Sequence, residues 1–145
     1  VEGGLTLEEG AQVVAALAEI GLDAVEVSGG LGGRKLNLPT GIKTPADEGY
    51  FRPLARAVRP HTRLPLILVG GFRSLDVMEA TLAAGDADFI SMCRPLIAEP
   101  DLPTRLLQGL QPRASCISCG RCWPQGAEDE GISCKHLAER RSKEV

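Results

Sequence analysis

Apolar residues at Val13, Val14, Leu17 and Ile20 recur at helical spacing behind Thr6-x-x-Glu9, a pairing that can cap a helix reciprocally. Gly21 stands where a helix C-terminus favours glycine, so a helix is expected from Thr6 to Ile20. In DAVEVSGG, Val25 and Val27 alternate with Glu26 and Ser28, which predicts a short strand running into a glycine turn. The stretch from Leu31 to Ala46 has no sustained period and is long enough to be a functional loop. EGYFRPLARAVRPH brings Phe51, Leu54 and Val58 to helical spacing, with Pro53 tolerable only in the first turn and Tyr50 read as a packing residue.

LPLILVGG is a continuous apolar run of strand length, the pattern of a parallel strand covered on both faces. Ser74 is placed to cap the helix LDVMEATLAAG, which Gly85 ends; ADFISMCRPL reads as a further strand and PDLPTRLLQGL as a last helix. The order gives three βα units in a parallel α/β arrangement. Three such strands leave both sheet edges open, which makes the segment look like part of a barrel.

Composition narrows the class without naming it. With 145 residues, a formal net charge of -3 and a pI near 5.4, the chain presents no broad positive field, so nucleic acid and membrane surfaces are not expected partners. No apolar run approaches the roughly 20 residues that span a bilayer, and the N-terminus lacks a signal-peptide order. A cytoplasmic location is the expectation. Opening on Val1 is weak support for a start that lies elsewhere.

The chemistry is concentrated at two strand ends. In (β/α)8 barrels, phosphate often binds after the seventh and eighth strands. Gly70-Gly71 would bring backbone N–H groups close to an anion, and Arg94, one βα unit later, would add a charge-assisted contact. The plainer alternative makes the glycines turn residues and Arg94 a solvated cation.

VGGFRSLDVMEATLAAGDADFISMCRPLIAEPDLP resembles the C-terminal barrel region of Old Yellow Enzyme-type NADH:flavin oxidoreductases. That resemblance extends through GGLTLEEGAQVVAALAEIGLDAVEVSGG and CISCGRC. It implies the C-terminal portion of a (β/α)8 TIM barrel, with residues 1–112 as a partial FMN-binding region and 113–145 as a Cys-rich tail. FMN phosphate would be held by Gly70 and Gly71 after strand 7 and by Cys93 and Arg94 after strand 8. Cys93 departs from the family, which usually has Gly there. Ser28, Gly29 and Gly30 are expected to line the same mouth. NAD(P)H would be the reductant and an activated alkene or similar small molecule the substrate. His61, His136 and Tyr50 match neither the family's substrate-anchoring pair nor its proton donor, so no catalytic residue is assigned and the fragment is expected to be inactive alone. A second copy or the missing barrel half would cover its open edges.

Cys116, Cys119, Cys122 and Cys134 have the count of thiolates for an iron–sulfur cluster or zinc, and free or buried thiols remain the third choice. They resemble the cluster region of the 2,4-dienoyl-CoA reductase-like branch, with one spacing a residue shorter. Two other functions stand beside the oxidoreductase: another phosphate-binding barrel enzyme, and a non-catalytic metal-binding or interaction fragment.

Overall fold

The computed structural model describes residues 4–30, 41–124 and 131–143. Helix α1 (Leu7–Glu19) begins at the expected capping box: Glu9 N donates to Thr6 Oγ1 at 3.2 Å, and Thr6 N donates to Glu9 Oε2 at 2.8 Å. Gly21 closes it with a left-handed φ of 87°. Strands β1 (Val25–Val27), β2 (Leu66–Leu68) and β3 (Phe89–Ile90) form one parallel sheet in that order, with Leu68 opposite both Val27 and Ile90.

Helices α2 (Arg52–Val58) and α3 (Leu75–Ala83) make the crossovers that parallel pairing requires. Leu66, Leu68, Phe72, Ala55, Val58 and Met78 bury together between them and the sheet. The continuous apolar run predicted this, because β2 is covered on both faces. Helices α4 (Arg94–Ala98) and α5 (Leu102–Leu107) follow, and Leu102 and Leu106 close the core. The last described helix, α6 (Lys135–Arg141), lies in the Cys-rich tail, where no helix was expected.

Two aspartates set β3 beside β2. Asp86 is buried and accepts from Arg52 Nε at 2.7 Å and from Arg56 Nε at 2.6 Å, tying α2 to the turn after α3. Asp88 accepts from Leu66 N at 2.7 Å and from Arg59 Nη2 at 2.8 Å.

The segment ADFISMCRPL is corrected by the structure. Only Phe89–Ile90 is strand, and Arg94 opens α4, where Pro95 in the first turn supplies a preset φ and loses no hydrogen bond. Ser74 is the N-cap residue of α3, but its side chain makes no cap bond; its hydroxyl instead donates to Glu48 Oε1 at 2.8 Å. Tyr50 precedes α2 and packs edge-on against Phe51, with ring centroids 4.6 Å apart. Of the proposed Leu31–Ala46 loop, residues 31–40 lie outside the described residues.

Among the described residues β1 and β3 each pair on one side alone, so both edges of the sheet stay open. Exposed apolar side chains accompany each edge: Leu5 and Val13 near β1, and Phe89 on β3 itself. No described helix is long and apolar enough to cross a membrane.

Candidate functional site

Parallel strands deliver all their C-terminal ends to one side of a sheet, which places the loops after β1, β2 and β3 together. At the end of β2 the chain passes through Gly70 and Gly71, with φ of 156° and 72°. The Gly70 carbonyl accepts from Gly49 N at 2.7 Å and from Tyr50 N at 3.3 Å. A Cβ on Gly70 would sit 3.2 Å from the backbone nitrogens of Tyr50 and Phe51, and one on Gly71 would strike Ile42 Cδ1 and approach Tyr50 Cε1 to 2.7 Å. Glycine is therefore required at both positions by the segments holding Ile42 and Gly49–Phe51. The N–H groups of Gly70 and Gly71 have no hydrogen-bond partner among the described residues.

At the end of β3, Cys93 is the N-cap of α4, and its carbonyl accepts from Leu96 N at 3.0 Å and Ile97 N at 3.1 Å. Its φ of -111° is ordinary for a residue with a side chain, and the thiol is exposed. A side chain where the family usually has Gly is thus accommodated. Arg94 lies in the first helical turn, where N–H groups lack intrahelical acceptors. Its Nη1 donates to Ser118 O at 3.4 Å. Gly29 follows β1, where a Cβ would stand 3.1 Å from Phe51 Cε1 and 3.3 Å from Leu54 Cδ1, while Ser28 is exposed.

The loop after α5 is stitched to this end of the sheet. Ala114 N donates to Arg73 O at 2.8 Å and Leu75 N to Pro112 O at 2.9 Å. Cys116 follows, buried, and its Sγ accepts from Ser118 N at 3.4 Å; Ser118 is itself buried, with a left-handed φ of 54°. Burial pushes the Cys116 thiol up. Cys122 is also pushed up, first by burial and then by the neighbouring charges of Cys116, Cys134 and Cys119. Cys134 is the N-cap of α6, and Arg121 fixes that helix by donating to both carboxylate oxygens of Glu139 at 2.6 and 2.9 Å. Among the described residues no three His, Cys, Asp or Glu side chains gather as a set for a metal ion.

A buried polar cluster between the two regions escaped the sequence reading. Glu48 accepts from Arg73 N, Ser74 N and Ser74 Oγ, each at 2.8 Å, and lies 3.7 Å from Arg73 Nε and 3.6 Å from Arg113 Nη2. Arg73 Nη1 donates to Cys116 O at 2.9 Å. The only advance signal was the charge of Arg73 directly after the apolar VGGF run.

Residues 1–113 match the NADH:flavin oxidoreductase / NADH oxidase family. The chain belongs to this family. It is 36% identical over 121 residues to an NADH oxidase of Thermoanaerobacter brockii, a match covering 82% of this chain and 18% of that protein. To the NADH-dependent flavin oxidoreductase iliE of Neonectria sp. it is 38% identical over 107 residues, 67% of this chain and 14% of the relative. Among solved structures, the 6-hydroxypseudooxynicotine amine oxidase of Pseudomonas geniculata N1 superposes with a TM-score of 0.64 at 33% identity, over 79% of this chain and 16% of the other. The chain spans less than a fifth of each of these proteins, whose shares are 18%, 14% and 16%. Its three βα units are a portion of the family's (β/α)8 barrel.

Proposed function

We propose that this chain is the FMN phosphate-binding portion of an NAD(P)H:flavin oxidoreductase of the ene-reductase type, acting on an activated alkene or a similar small acceptor. The supporting observation is the pair of N–H groups at Gly70 and Gly71 without a partner among the described residues, one strand away from the first turn of α4. A phosphate dianion needs donors and positive charge. Gly70, Gly71 and Cys93 would supply backbone N–H groups, the first turn of α4 would add its partial positive charge, and Arg94 a full one. When bound, FMN supplies the redox-active ring that takes hydride from NAD(P)H and delivers it to the acceptor. The protein's part is to fix the phosphate, so that the ring is positioned by the remainder of the barrel.

Positioning of substrate and its proton must come from elsewhere. His61 sits in the turn before β2, at the opposite end of the strand from Gly70, and His136 lies on α6. This chain alone therefore does not turn over, and its open edges seat the rest of the barrel or a second copy.

The thiols of Cys116, Cys119, Cys122 and Cys134 have the count for an iron–sulfur cluster or zinc, but among the described residues no three of them gather as a metal set, so no step is assigned to such a group. Burial first, and then the charges of Cys116, Cys134 and Cys119, push the Cys122 thiol up, which favours its neutral form. That tail aligns the chain with the 2,4-dienoyl-CoA reductase-like branch, and free thiols suit a cytoplasmic setting. Reconstitution followed by gel filtration tests the main reading: FMN co-eluting near one equivalent per chain, with no NADH oxidation, is expected. Failure to retain any flavin contradicts it.

A further inference from the structure

Residues Glu48, Gly49 and Tyr50, between β1 and α2, grip the loop after β2 at two points. At the first, the carbonyl oxygen of Gly70 accepts from Gly49 N at 2.7 Å and from Tyr50 N at 3.3 Å. At the second, the Glu48 carboxylate accepts from Arg73 N, Ser74 N and Ser74 Oγ, each at 2.8 Å. The Glu48 side chain is fully buried, and the Ser74 side chain makes no cap bond of its own to α3. Gly71 and Phe72 are therefore held between two fixed ends, and Phe72 is itself buried in the core.

A trans peptide bond sets its C=O and N–H on opposite sides, and none among the described residues is cis. Holding the Gly70 oxygen against Gly49 and Tyr50 thus turns the Gly71 N–H away from them. That N–H has no partner among the described residues. Consecutive glycines have wide backbone freedom, and ordering them only when a ligand arrives would subtract from its affinity. Here folding itself does the ordering, through the contacts of Glu48, Gly49 and Tyr50.

We propose that Glu48 is a positioning residue for phosphate recognition. Its carboxylate fixes the Arg73–Ser74 end of the loop while the next two N–H groups fix the Gly70 end, so the Gly71 N–H is aimed before phosphate arrives. This rests on the phosphate reading above. Glu48 does not touch the phosphate, which its charge would repel; that charge is offset by Arg73 Nε and Arg113 Nη2, 3.7 and 3.6 Å away.

The test is the ratio of FMN to riboflavin affinity, measured by quenching of flavin fluorescence on the intact chain, with urea midpoints recorded alongside. Riboflavin has the same ring without the phosphate, so a variant that only loosens the fold weakens both flavins together and leaves the ratio unchanged. E48Q keeps one acceptor oxygen and turns amide donors toward two guanidinium groups, which releases the Arg73–Ser74 end. Its ratio is expected to fall about tenfold, the worth of one hydrogen bond no longer held in place. S74A removes only the hydroxyl bond to Glu48 Oε1 and is expected to lower the ratio about threefold. Should E48Q fail to fold, S74A carries the comparison. A wild-type preference for FMN kept in full by every folded variant overturns the role of Glu48 alone. Equal affinity of the wild-type chain for the two flavins overturns the phosphate reading and this inference with it.

Discussion

Arg94 Nη1 reaches the carbonyl oxygen of Ser118 at 3.4 Å, which ties the first turn of α4 to the buried residue between Cys116 and Cys119. The strand end proposed to hold flavin phosphate and the loop that carries the thiols therefore share one side chain.

Replacing Arg94 by Ala is expected to act on both. Loss of a hydrogen bond to a charged group weakens FMN binding by about 1.5–3 kcal/mol. The Ser118 carbonyl also loses a donor, so reactivity of the Cys119 thiol toward a maleimide reagent should rise. Equilibrium dialysis with FMN and thiol-labelling rates check the two effects; unchanged values in both would remove Arg94 from the site.

Much of the fold was legible because its signals are local. Thr6 and Glu9, Gly21 and Gly85 each act within a few residues, and all three features form as their spacing predicts. The end of β3 was misplaced because Phe89, Ile90 and Met92 give an apolar stretch of strand type, and only tertiary pairing decides that the ladder stops at Ile90. Glu48 and Arg73 could not be paired in advance, since they lie 25 residues apart in sequence and meet only when the Gly49–Gly70 contact forms. At the candidate site, the positions of Gly70, Gly71 and Arg94 were readable. Packing as the reason for both glycines was not.

Glu48→Gln should destabilise the chain strongly. The amide keeps one acceptor oxygen but loses the charge facing Arg73 and Arg113, and breaking a buried ion pair from one side costs about 3–5 kcal/mol. Urea unfolding at neutral pH reads this directly, and a loss well under about 1 kcal/mol would show that Glu48 is not the centre of the cluster.

Two glycines separate packing from backbone strain. Gly85 and Gly71 have φ of 70° and 72°, but a Cβ on Gly85 meets nothing within 4 Å, whereas one on Gly71 strikes Ile42 and Tyr50. Gly85→Ala should cost about 1–2 kcal/mol from the left-handed backbone alone. Gly71→Ala should cost about 1–3 kcal/mol more, as overpacking does. Equal losses in thermal melts would contradict the observed contacts.

Stability should fall in acid through Asp86. The hydrogen bond from Arg56 is the largest influence holding this carboxyl below its usual value; Arg52 adds to it, and burial opposes both. A carboxylate depressed in the folded state stabilises fully above its unfolded pKa, about 3.9, and loses that contribution as pH drops through the lower folded value. Asp86→Asn should therefore be less stable than the parent at pH 7, with the difference shrinking below about pH 4. Urea midpoints across that range check it, and a pH-independent difference would contradict the assignment.

The phosphate grip itself is tested most directly by comparing FMN with riboflavin, which carries the same ring without the phosphate. Quenching of flavin fluorescence by the purified chain is expected to show FMN binding about 10- to 100-fold more tightly, the equivalent of one or two hydrogen bonds to a charged group. Equal affinity for the two flavins would contradict phosphate recognition at Gly70, Gly71, Cys93 and Arg94.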